Sequence, residues 1–345
     1  MSIAGGLGIH RKQITFDYLD TVTGEVERGQ IVPADRAHLA GWLARRFPGG
    51  QDADFALEGC TGWRYVAGEL AAAGITAHAG EPADTAALRG TKRHAKTDKA
   101  DSRHLRRVLA DGRLPECWIP PPHVLECRAL PELYHDLRAE HTAWVQRIRA
   151  VLSHQGAQRL DEGLRTGGGV AALRHITETR LSPAGQCQVA TALDILAALD
   201  SHLDAVRRRL LHDARHLTGA RVLAARLYGA GPITALALTC WPGGAGRFSS
   251  ARKAVRFAGL DVTVYSSAGK RSPGRLSRQG PAVLRWCVYE AGKTHARPGA
   301  PDHAYYAQVK DRIDGKRAAI PEARKIIRQA CRILSGLGGD ALAAI

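Results

Sequence analysis

The chain has 345 residues, 45% hydrophobic and 24% charged, the balance of a soluble globular protein with room for two or three domains. Lys plus Arg outnumber Asp plus Glu by 49 to 33, a formal charge of +16, which points to a polyanionic partner with nucleic acid the first candidate. No apolar run approaches the ~18 residues of a membrane-spanning helix and no basic-then-apolar leader opens the chain, so a cytoplasmic protein is expected. The seven scattered cysteines contain no Cys-x-x-Cys pair, which argues against both a disulfide framework and a cysteine zinc site.

Residues Ile3–His10 and Gln13–Asp20 read as two strands around a basic turn, with Ile14, Phe16 and Tyr18 alternating on one face. Ala34–Arg46 is an amphipathic helix, Ala53–Glu58 a short apolar strand, Trp63–Ala73 a helix and Ile75–Ala79 a further strand. This alternation predicts an α/β domain with partly parallel strands, in which acids at strand ends lie where ligands bind. Glu58 is such an acid; its plain alternative is an ordinary loop-facing glutamate.

In Lys96-Thr97-Asp98-Lys99-Ala100-Asp101, Thr97 has the chemistry of an N-cap, and Asp98 and Asp101 project three residues apart from the first turn of a helix. Two carboxylates on one face suit a hard cation; the same pair also merely complements the helix dipole in helices that bind nothing. The Pro120-Pro121-Pro122 run then predicts an extended linker and a domain boundary.

Leu133–His154 reads as a long helix, and Pro183–His216 as another. In the second, Val189, Ala192, Leu196, Leu199, Leu203, Val206 and Leu210 recur three and four residues apart, a coiled-coil seam that serves either an intramolecular helix pair or a dimer interface. Gly167-Gly168-Gly169 between them is expected to be a flexible connection. Gly229-Ala230-Gly231-Pro232 opens an apolar helix and resembles a helix-hairpin-helix turn, whose amides approach a phosphate; a simple tight turn is the alternative.

Between Gly246 and Gly280 eight cations, among them Lys270, Arg271, Arg275 and Arg278, face the single acid Asp261, interleaved with serines and glycines in a pattern suited to phosphate contact. Within it Tyr265-Ser266-Ser267-Ala268-Gly269-Lys270-Arg271 sets two hydroxyls beside cations, either as a nucleophile loop or as a phosphate-binding loop with no covalent role. Pro321–Leu337 is a basic amphipathic helix with Ile326, Ile327, Ala330 and Leu334 on one side.

Taken together, Gly6-Leu7-Gly8-Ile9-His10, Leu57-Glu58-Gly59-Cys60, the Thr97–Asp101 helix start, Gly229-Ala230-Gly231-Pro232, Phe257-Ala258-Gly259-Leu260 and Tyr265–Gly280 resemble the transposases of insertion-sequence family 110, the bridge-RNA-guided serine recombinases. The resemblance implies an RNase H/RuvC-like mixed sheet with helices over 1–125, a coiled-coil helical insertion over 126–217, and a mainly helical transposase domain over 218–345. It also implies Mg²⁺ held by four acids, of which Glu58, Asp98 and Asp101 match three. Ser267 matches the nucleophile that links covalently to DNA, with Ser266 the runner-up.

The implied partners are donor and target DNA and a structured guide RNA, with a dimer-to-tetramer assembly. One position departs: where the family carries its first acid this chain has Gly8, which offers no carboxylate, so cleavage is expected to be severely impaired. Asp17 and Asp20 lie on the next strand, where alternation of faces argues against either standing in without a register change. Three functions follow: an active recombinase, a nucleic-acid-binding form that has lost its chemistry, and an RNase H-like nuclease using water.

Overall fold

The apolar alternation of the opening stretch produces β1 (Ile3–Ile9) and β2 (Ile14–Asp20), an antiparallel pair in which Leu7 faces Phe16 and Gly6 faces Asp17. The structure, a computed structural model, describes residues 2–50, 52–90, 97–157, 163–164, 166–263, 265–267, 270–272 and 274–344. It divides into one unit ending at Ile119 and another beginning at Pro120.

In the first unit β3 (Val26–Ile31) adds to β2, and after α1 (Arg36–Arg46) the strand β4 (Ala53–Glu58) pairs parallel with β1. Next come α2 (Trp63–Ala72) and β5 (Thr76–Gly80), parallel to β4. α3 (Pro82–Ala87), α4 (Asp98–Ala110) and the short antiparallel β6 (Glu116–Cys117) complete the unit. The order β3-β2-β1-β4-β5-β6 is the expected RNase H-like mixed sheet.

Side-chain alternation sorts this sheet into two faces. Leu7, Ile14, Phe16, Tyr18, Phe55 and Leu57 pack with Leu39, Trp42 and Phe47 around α1 and with Val66 and Leu70 of α2. On the opposite face Ala56 packs against Leu105 and Leu109 of α4. Gly6 makes that approach possible: a Cβ there would stand 2.6 Å from the Arg106 nitrogen and overlap the Ser102 carbonyl. α4 thus lies directly on β1.

The second unit is mainly helical. α5 (Pro122–His154) starts at the third proline, so the expected extended linker is instead a helix N-terminus. A proline at the first helical position has no needed N–H to lose, and Pro131 is accommodated inside the same helix. α6 (Gly167–Arg180) likewise corrects the flexible-glycine reading: Thr166 caps it by accepting from the Gly169 N–H at 3.0 Å, placing all three glycines in its first turn.

α7 (Pro183–Arg215) matches its expected span to one residue. Its Val189, Ala192, Leu196, Leu203 and Leu210 are buried, and the first three pack with Ile148 and Leu152 of α5, an intramolecular helix pair.

α8 (Thr218–Arg226), α9 (Pro232–Cys240) and α10 (Ala251–Phe257) follow, then the two-stranded β7 (Tyr265–Ser267) and β8 (Lys270–Ser272). α11 (Ala282–Lys293), α12 (His303–Arg312) and α13 (Gly315–Leu337) end the unit, with Ile326, Ile327, Ala330 and Leu334 of α13 buried as expected. Among the described residues no helix is long and apolar enough to cross a membrane.

Candidate active site and nucleic-acid interface

Gly8 and Glu58 sit at or next to the C-terminal ends of the adjacent parallel strands β1 and β4, whose register runs Gly6 to Ala56 and Leu7 to Leu57. Ala56 faces α4, so alternation sends Glu58 to the same face. A Cβ added to Gly8 would point at the first turn of α4, 3.4 Å from the Asp98 carbonyl and 4.0 Å from the Ser102 Cβ. Thr97 caps that turn by accepting from the Ala100 N–H at 3.2 Å, as its sequence suggests; Lys96 lies outside the described residues. The two strand ends and the start of α4 therefore share one edge of the sheet.

The acids at this edge are engaged by protein partners. Asp98 Oδ2 accepts from Gln13 Nε2 at 3.1 Å, and Asp101 Oδ1 lies 2.7 Å from Arg89 Nη1. Glu58 is half-buried, and its negative charge adds to burial in pushing the neighbouring Cys60 thiol up. Glu58, Asp98 and Asp101 do not come together at ligand spacing among the described residues. A magnesium ion demands a near-octahedral oxygen cage at about 2.0–2.1 Å. With a glycine at position 8 and Asp101 already ion-paired, this arrangement does not fit one.

Asp17 proves to be on the α4 face after all, since it pairs with Gly6, whose Cβ direction points into α4. What bars it from replacing the missing acid is its partners rather than its face. It is 1% exposed and held by Arg106 and, at 2.7 Å, by Arg28, with Arg103 at 3.7 Å. Lys99, Ser102 and Arg103 of α4 line a cleft of about 440 Å³ over this cluster, opposite Thr15, Asp17 and Arg28. Asp20 instead closes the turn after β2, where the Thr23 and Val22 amides hold its carboxyl below the usual range.

In the second unit the Gly-x-Gly turn joins α8 to α9. Gly229 has φ +78°, and a Cβ there would meet Thr294 Oγ1 at 2.7 Å and the Ala291 carbonyl at 2.9 Å, so packing against α11 already requires the glycine. Gly231 is the N-cap of α9 and faces open space.

β7 and β8 pair Ser267 with Lys270 and Ser266 with Arg271. The side chains of these four residues, together with Ala268 and Gly269, lie outside the described part of the structure. Arg275 and Arg278 are exposed on the following segment, tied back through the Thr263 N–H to the Arg275 carbonyl at 2.8 Å and the Arg278 N–H to the Gly259 carbonyl at 3.2 Å. Arg278 has φ +53°, the left-handed region that a side-chain-bearing residue seldom adopts. Arg285 Nη1 donates to its carbonyl at 3.2 Å. Of the other cations here, Arg247 donates to the Pro242 carbonyl and stacks on Phe248 and Phe257, and Arg256 is 3.9 Å from Asp261.

Residues 222–307, from within α8 to within α12 and including this basic segment, match the family model described as "Transposase IS116/IS110/IS902 family". A curated "Probable family 20 transposase" of Pseudomonas aeruginosa is 25% identical over 254 residues, covering 70% of this chain and 71% of its own. The chain is similar to transposases of the IS110 family over this segment. The family match thus falls on the unit that carries the serine hairpin.

Sequence reasoning missed one cluster: His295 after α11, Asp302 at the start of α12, and Glu322 in α13. Burial pushes the Glu322 carboxyl up and the His295 imidazole down. The signal in the sequence was an acid at position 322 on the same helix face as Ala318, Ala319, Ala323 and Ile326.

Proposed function

We propose that this chain is an insertion-sequence transposase that joins donor and target DNA under the guidance of a structured RNA, and that Gly8 leaves it a nucleic-acid-binding form with impaired strand chemistry. Position 8 carries this reading: its side-chain direction runs into the first turn of α4 beside Asp98, where an acid would complete the edge formed by Glu58 and α4, and glycine supplies nothing. In this reading residues 1–125 form the RuvC-like domain, 126–217 the coiled-coil helical region and 218–345 the transposase domain, and the protein works as a dimer or tetramer.

Ser267 is the nucleophile. Its hydroxyl oxygen attacks a DNA phosphorus, a DNA oxygen departs and takes up the proton the serine gives up, so the broken phosphodiester is replaced by a phosphoserine bond. Attack by a second DNA end on that bond regenerates the serine and rejoins the strands without ATP. Lys270 and Arg271, paired with Ser267 and Ser266 across β7 and β8, supply positive charge beside the developing phosphorane. Arg275 and Arg278 hold backbone phosphates and fix register. No step is routed through a metal at the Glu58 edge, because the residues present do not fit one.

In a Gly8→Asp background supplied with guide RNA, donor and target, Ser267→Ala abolishes product while Ser266→Ala retains it. Product that survives Ser267→Ala but not Ser266→Ala moves the nucleophile by one residue, and product that survives both removes serine chemistry from the account.

A further inference from the structure

His295, Asp302 and Glu322 lie in the helical unit and have no part in the reaction above. His295 is 3% and Glu322 0% exposed, yet neither ring nitrogen of the histidine nor either oxygen of the glutamate has a hydrogen-bond partner among the described residues. Leaving a buried polar atom unpaired is costly, so four in one place call for an explanation. Their arrangement supplies one. His295 Nδ1 is 3.6 Å from Glu322 Oε2 and 3.9 Å from Asp302 Oδ2, and all three ligand atoms fall within 4.8 Å of one another. The first two separations exceed a hydrogen bond. They also exceed, by a few tenths of an ångström, the ~3.3–3.4 Å between ligands of a tetrahedral ion with bonds of about 2.0–2.1 Å.

We propose that His295, Asp302 and Glu322 form a site for a divalent transition metal, with zinc the fitting ion. One imidazole and two carboxylates is a borderline donor set, which suits zinc better than the all-oxygen cages of calcium or magnesium. The supporting contacts orient the ligands. Lys325 Nζ occupies Asp302 Oδ1, leaving Oδ2 turned to the histidine, and the Tyr228 ring stands edge-on to His295 with centroids 5.1 Å apart.

A pocket of about 360 Å³ reaches His295 and Asp302, giving an entry path and a fourth coordination position for water or an anionic group; Arg226 and Arg332 lie on its wall. Bound there, the ion clips the end of α11 and the start of α12 to α13. This is independent of the reading of Gly8 and Ser267.

The test uses the full chain stripped with chelator, then titrated calorimetrically with Zn²⁺ and, separately, with Co²⁺ as a spectroscopic probe. The expected result is one equivalent of Zn²⁺, a saturable rise in Tm, and cobalt d–d bands without thiolate charge transfer. Glu322→Gln and Asp302→Asn each weaken Zn²⁺ binding on the order of 100-fold. Asp302 is the partly exposed ligand, so its variant serves if Glu322→Gln fails to fold, and the wild-type spectrum needs no variant.

No stoichiometric Zn²⁺ at micromolar concentration overturns the proposal and leaves a buried ionic network. So does affinity unchanged in the variants, or a thiolate band in the wild type, which would put the metal on cysteines.

Discussion

Asp17→Asn should loosen α4 from the sheet. The substitution keeps the shape of the side chain but removes the charge facing Arg106, whose side chain is only 10% exposed. Leaving one member of a buried pair uncompensated costs about 3–5 kcal/mol. Arg28→Ala removes a half-exposed partner and leaves Asp17 paired with Arg106, so it should cost about 1 kcal/mol. At roughly 4–8 °C per kcal/mol for a unit of about this size, Asp17→Asn should lower its melting by at least about 10 °C. Hydrogen exchange at the α4 amides localises the effect and should accelerate in Asp17→Asn alone. Equal losses in the two variants, or unchanged protection of α4, would refute the claim that this carboxylate locks the helix bearing Asp98 and Asp101.

Gly229→Ala should destabilise the helical unit by about 2 kcal/mol or more, from its φ of +78° and the 2.7 Å approach to Thr294, whereas Gly231→Ala, facing open space, should fall within about 0.5 kcal/mol. Urea unfolding checks both, and matching losses would contradict the packing role. Arg275→Ala and Arg278→Ala should each reduce the log–log salt slope of nucleic-acid binding by roughly 0.7–0.9; an unchanged slope takes those side chains off the phosphates. Cys287, buried with its thiol pushed up to about 12, should resist a thiolate-selective reagent at about pH 8 in the native protein while exposed Cys187 reacts, and mass spectrometry of the labelled peptides decides it.

Local patterns carried much of the fold. The Ile14-Phe16-Tyr18 alternation, the apolar Ala53–Glu58 run and the spacing of the α7 seam each encode burial within a few residues, and the elements appear where those patterns stand. β3 was illegible because Val26–Ile31 is an edge strand whose Glu27, Arg28, Gly29 and Gln30 leave no apolar alternation. The start of α5 was misread because prolines that break a helix in its middle favour its first turn.

At the candidate site, Gly8, Glu58 and the Thr97 cap were readable as a strand end, a strand end and a helix start. The engagement of Asp101 by Arg89 and of Asp17 by Arg28, Arg103 and Arg106 depends on tertiary contacts, as does the meeting of His295, Asp302 and Glu322. No local spacing encodes them.

The most direct test of the central claim is the comparison of this chain with its Gly8→Asp variant in a recombination assay holding guide RNA, donor and target DNA constant, with nucleic-acid affinity measured in parallel. Gly8 has no positive φ, and its open direction ends 3.4 Å from the Asp98 carbonyl, so the backbone accepts aspartate there. Both proteins should bind with equal affinity, the chain as it stands should give little or no product, and Gly8→Asp at least about 100-fold more. Abundant product from the unaltered chain, matched by the variant, would contradict it.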